Sequence, residues 1–107
     1  MQIEFKFRHL EPSDAMKTYA AEKLSKFQKY MRAPLDAHVT FSLEKHMHCV
    51  DVSFNNGGEH FQGRAEQEDM YASIDMVVDK LMRQLTRAHG QHTNHRRGPL
   101  PSDSPGE

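Results

Sequence analysis

The stretch EDMYASIDMVVDKLMRQLTR, Glu68 to Arg87, constrains the fold more than any other part of the chain. Met70, Ile74, Val77, Val78, Leu81 and Leu85 recur three and four residues apart, the spacing of one helix face. A helix with a single apolar stripe is stable only when that stripe is buried against another layer. The rest of the chain must therefore supply a complementary apolar surface, and its pattern is that of strands.

Ile3, Phe5 and Phe7 alternate with Gln2, Glu4, Lys6 and Arg8. Ala37, Val39, Phe41 and Leu43 alternate in the same way over residues 37–44, and Val50, Val52 and Phe54 over residues 48–54. Period two is the signature of a half-buried strand. A weaker strand spans residues 60–66, with Phe61, Gly63 and Ala65 inward; Gly63 there marks a bulge or a close packing approach. Asn55-Asn56-Gly57-Gly58 is a strong hairpin signal, because Asn and Gly accept positive φ. Between the first two strands, Met16, Ala20, Leu24, Phe27 and Met31 predict one helix from about Asp14 to Tyr30, capped by Ser13 and ended by Pro34. Asp69 is the expected cap of the second helix.

The order β-α-β-β-β-α predicts an α+β fold of two layers, a four-stranded sheet with two helices packed on one face. The first helix is a right-handed crossover that makes strands one and two parallel, and hairpins join the rest. Residues 1–88 form this domain. From residue 89 to residue 107 the apolar pattern vanishes, which predicts a disordered polar tail.

A single cysteine, Cys49, excludes an intrachain disulfide. The start is not a signal peptide and no apolar run approaches a membrane span, so the expected location is cytoplasmic, with no membrane partner. Eight histidines raise the question of a metal, but no thiolate pair or HExxH accompanies them. The expectation is no metal, cofactor or small-molecule substrate; His38, His48 and His60 remain candidates for titration near neutral pH. No nucleophile elbow or glycine-rich phosphate loop points to an enzyme.

The net charge of −1 conceals a strong segregation. Residues 17–32 carry five bases and one acid, residues 33–79 two bases and nine acids, and residues 80–97 five bases and no acid. On the second helix, Ser73, Met76, Lys80, Arg83 and Arg87 fall opposite the apolar stripe, and Asp79 can pair with Arg83. Such a run is usually a solvated face, and cations also favour a helix C-terminus. If the helices lie side by side, Lys23, Lys26 and Lys29 border the same groove as Lys80, Arg83 and Arg87, with no acid between them. That is the footprint of a phosphate-backbone binder, with Arg64 at its periphery. The competing readings are a general structured-RNA-binding module and a small interaction or metal-responsive domain that uses its histidines.

MQIEF, EKLSKFQKY, NNGGE and above all EDMYASIDMVVDKLMRQLTR resemble the short, single-domain bacterial ribosome hibernation-promoting factors and ribosome-associated inhibitors. The last stretch follows their D-M-Y-x-x-I-D-x-x-x-D-K-L-x-R-Q-L pattern nearly in full. The resemblance covers residues 1–88 and implies a fold similar to double-stranded-RNA-binding domains. It also implies binding to the small ribosomal subunit near the decoding region, where mRNA and A- and P-site tRNA are blocked. Translation is then inhibited without chemistry, in stationary phase or stress, by a protein that is monomeric when free. Carried over by position, the rRNA-facing residues are Lys23, Lys26, Lys80, Arg83 and Arg87; Lys29 and Arg64 are added from charge geometry. The segment HFQGRAEQ is less basic than is common in the family, which shifts weight onto the helices. The His/Arg-rich tail leaves open whether ribosomes pair or are held singly.

Overall fold

The computed structural model describes residues 1–94, with side chains through Arg87. Four strands, β1 (Gln2–Arg8), β2 (Asp36–Glu44), β3 (Met47–Asn56) and β4 (Glu59–Gln67), form one sheet in the order β1-β2-β3-β4. β1 is parallel to β2, and the other neighbours are antiparallel. Helix α1 (Asp14–Ser25) follows β1, and α2 (Met70–Asn94) follows β4. This is the predicted order and pairing. Both capping residues act as the sequence implies. Ser13 accepts from the Met16 amide at 3.2 Å, and Asp69 accepts from the Ala72 amide at 3.0 Å.

Alternation fixes which face of the sheet is covered. Ala37, Val39, Phe41, Val50, Val52, Phe54, Phe61 and Ala65 all point under the helices and are buried. From above, Ala20 and Leu24 of α1 and Met70, Ile74, Val77, Leu81 and Leu85 of α2 close the core. Phe27 packs tilted against Phe54 at 5.3 Å between ring centres, and Phe54 in turn stacks on Phe61 at 5.1 Å. Each such side chain contributes about 1.5–3 kcal/mol by leaving water.

Gly63 sits in regular register opposite Val52, so it makes no bulge. Its role is close approach: a Cβ there would stand 3.2 Å from the Leu81 side chain and 3.3 Å from Val77. The β3–β4 turn places Gly57 at φ +66°, in the left-handed region where L side chains are strained.

Three details differ from the sequence reading. The first helix does not run unbroken to Tyr30. It ends at Ser25, and Lys26–Tyr30 is a 3-10 helix. Gln28 explains the tightening: its amide donates to the Ala33 carbonyl and accepts from the Leu35 amide, tying the helix end to the loop before β2. Ser73 does not face outward but is fully buried, donating its hydroxyl to the His48 carbonyl at 2.6 Å. It lies at the border of the apolar stripe, where a small donor can reach the sheet. Finally, α2 passes the expected end near Arg87 and continues to Asn94, since each residue added to an existing helix closes another hydrogen bond. Of the expected disordered tail, residues 89–107, residues 89–94 thus belong to α2, and the rest lies outside the described residues.

Candidate nucleic-acid interface

The apolar stripe of α2 fixes its rotation, and the rotation decides what each charged residue can touch. Tyr71 meets Tyr19 of α1 edge-on at 5.0 Å, and Asp75 accepts a 2.7 Å hydrogen bond from the Tyr19 hydroxyl. That side of α2 faces α1. On the other side, the Lys80 ammonium donates to the Arg64 carbonyl at 3.0 Å and the Gln84 amide to the Gln62 carbonyl at 3.2 Å. These contacts cover the outer edge of β4. Lys80 lies roughly 140° around the helix from Asp75, and Arg83 and Arg87 follow it within about one quadrant.

Lys80, Arg83 and Arg87 are all exposed and form one ridge along α2 on the β4 side. The predicted pair of Arg83 with Asp79 is present at 2.7 Å. Because the helix continues to Asn94, Lys80 and Arg83 are not in its last turn. The helix dipole acts mainly over the terminal turns, so it does not account for these two cations.

The lysines of the first helix fall elsewhere. Lys23 sits in the groove between the helices, its side chain 34% exposed, 3.7 Å from Asp75 and 5.2 Å above the Tyr19 ring. Lys26 and Lys29 are exposed on the 3-10 helix, where residues three apart line up one above the other. Lys29 lies 5.6 Å over Tyr30. The expectation of six cations with no acid between them is thus corrected. Asp75 of α2 is paired with Lys23, and Asp79 with Arg83 of the ridge.

Arg64 is on the opposite surface altogether. Phe61, Gly63 and Ala65 point toward the helices, so Arg64 points to the open face of the sheet. It donates to Asp51 at 2.8 Å and to Glu66 at 3.0 Å, with Glu44 at 3.5 Å. The bonds to Asp51 and Glu66 raise its pKa above the ordinary arginine value. An arginine held by three carboxylates and facing away from the basic ridge is a fixed part of the sheet surface. Arg64→Gln is expected to leave binding of a structured RNA within about twofold, while lowering stability by about 1 kcal/mol or less, since the cluster is largely solvated. A binding titration and thermal melting check the two halves of that statement.

Glu44, Cys49 and Glu66 are the one set among the described residues whose ligand atoms could gather around a metal ion. The Arg64 guanidinium already bonds both carboxylates. Burial, then the nearby Glu66 charge, push the Cys49 thiol above its ordinary pKa, which disfavours the thiolate needed for ligation or attack.

Sequence reasoning missed the Tyr19–Asp75–Lys23 contact. Its only trace is that Tyr19 and Lys23, like Tyr71 and Asp75, are one helical turn apart; which turns face each other is set by the packing. The hydrogen bond to Asp75, then burial and surrounding negative charge, raise the Tyr19 pKa. A raised pKa means the neutral hydroxyl is favoured by folding. Its contribution is complete below the ordinary tyrosine value of about 10 and is lost as pH rises through the folded value. Denaturation at pH 8 and pH 11 is expected to show a larger alkaline loss for the wild type than for Tyr19→Phe.

A family model described as Sigma 54 modulation protein / S30EA ribosomal protein matches residues 3–93. The ribosome hibernation promoting factor of Azotobacter vinelandii is 31% identical over 98% of this chain and 98% of its own length. That of Salmonella typhimurium is 32% identical over 89% of this chain and all of its own. The crystal structure of the Thermus thermophilus Protein Y N-terminal domain superposes with a TM-score of 0.76 at 30% identity, covering 82% of this chain and 99% of that one. A ribosomal subunit interface protein from Coxiella burnetii shares the fold, with a TM-score of 0.73 at 23% identity over 84% of this chain and 99% of that one. These are families of ribosome factors, not of enzymes. With its β-α-β-β-β-α order and a match spanning nearly the whole described chain, the protein belongs to the Sigma 54 modulation protein / S30EA ribosomal protein family, whose relatives above are ribosome hibernation promoting factors.

Proposed function

We propose that this member of the family binds the small ribosomal subunit near the decoding region, covers the space of mRNA and of A- and P-site tRNA, and inhibits translation in stationary phase or stress. The observation that carries the reading is the exposed Lys80, Arg83 and Arg87 ridge on a helix locked to the sheet by five buried apolar residues. A row of cations on a rigid helix matches a phosphate backbone with no backbone ordering cost at the moment of binding. Lys26 and Lys29, exposed on the 3-10 helix, supply a second phosphate contact. Lys23 is held in reserve by Asp75 and contributes only where RNA displaces that carboxylate. Arg64 is left out of the interface.

Sedimentation of stationary-phase lysates tests the reading. The protein is expected to travel with small subunits or whole ribosomes at low salt and to leave them steeply as salt rises, because several phosphates recover counterions. A protein that stays at the top of the gradient at low salt contradicts it.

A further inference from the structure

The two edges of the sheet are treated differently. On β4, the Gln62 and Arg64 carbonyls accept hydrogen bonds from Gln84 and Lys80 of α2, so that edge is capped by side chains. β1 is the other edge, and among the described residues no strand lies outside it. Ile3, Phe5 and Phe7 stay half-buried, whereas their neighbours on β2, Ala37, Val39 and Phe41, are completely buried. The strand has no proline, and its backbone stays extended through seven residues. Uncapped edges of this kind are templates for another strand.

The sequence of β1 says which strand fits. When QIEFKFR is laid antiparallel on itself about Phe5, Glu4 stands opposite Lys6 and Lys6 opposite Glu4 on the open face. On the helix-side face, Ile3 meets Phe7 and Phe5 meets Phe5. Opposite charges and apolar side chains directly across from one another are the stabilising cross-strand pairs. A two-fold axis gives each contact twice, as an isologous interface requires. We propose that β1 is a self-association edge, through which two copies of this chain, monomeric when dilute, join antiparallel into one eight-stranded sheet at high concentration. This goes beyond the ribosome reading and leaves its surface free: α2 lies over β3 and β4, so the two basic ridges sit at the far ends of the paired sheet.

One seven-residue strand per copy is a small interface, so the dimer is weak, with a dissociation constant on the order of 0.1 mM. Light scattering and amide exchange on the full chain from about 10 µM to 1 mM test it. Mass rises toward the dimer with concentration, and β1 amides gain protection in step. Glu4→Lys, which sets Lys against Lys6 twice, weakens association by about tenfold. Glu4→Lys with Lys6→Glu restores the cross-strand pairs and recovers it, although His38, 2.9 Å from Glu4, loses its carboxylate in both variants. Constant mass to 1 mM overturns the proposal, as does a double variant no better than Glu4→Lys. Protection of β1 that is independent of concentration also overturns it, since the edge is then covered by the chain's own residues.

Discussion

Replacing Lys80, Arg83 and Arg87 together by glutamate is expected to weaken ribosome binding by at least about a hundredfold at 0.1 M salt, with the fold intact. The three side chains are exposed, so none of them carries core packing. The changes remove the Arg83–Asp79 ion pair and the Lys80 hydrogen bond to the β4 edge, which together contribute on the order of 1 kcal/mol. Against that small loss, reversal turns three phosphate attractions into repulsions on a helix that cannot rotate away. Neutralisation to glutamine distinguishes charge from shape: it is expected to reduce the slope of log affinity against log salt by about three. Normal binding by the reversed variant would move the interface to another surface.

The second large effect is on stability. Leu81→Ala is expected to cost about 2–5 kcal/mol, because Leu81 is completely buried where α2 meets the sheet. Gly63→Val is also expected to destabilise, by about 1–3 kcal/mol, since its new atoms run into Leu81 and Val77. The two changes are opposite faults at one contact. Combined, they are expected to cost less than the sum, with the valine methyls occupying part of the space that Leu81 leaves. A double-mutant cycle by urea denaturation checks this. Strict additivity would mean that the close approach of α2 to β4 does not depend on the missing side chain of residue 63.

The layout of the fold was legible because each element carries its own period. Phe5, Val39, Val52 and Phe61 each mark the inward side of a strand, and Leu81 and Leu85 mark the inward side of α2. What escaped the sequence is set by contacts between elements. The 3-10 turn after Ser25 depends on Gln28 gripping residues 33 and 35, which no periodicity records. Ser73 reads as polar and outward, yet the His48 carbonyl gives it a buried partner. For the site, the α2 ridge was readable from spacing alone. Lys23 was not, because its partner Asp75 comes from a different helix. Arg64 was misplaced for an instructive reason. The alternation that puts Gly63 under α2 already puts Arg64 on the opposite face, and adding it by charge overrode that geometry.

The central claim is that the Lys80–Arg83–Arg87 ridge is the surface that meets ribosomal RNA. A density map of the full chain bound to small subunits tests it most directly. The account predicts the protein in the channel near the decoding region, with α2 turned so that this ridge faces the rRNA backbone and the open face carrying Arg64 turned away. Density in which the open sheet face meets the RNA, or in which the protein sits outside that channel, would contradict it.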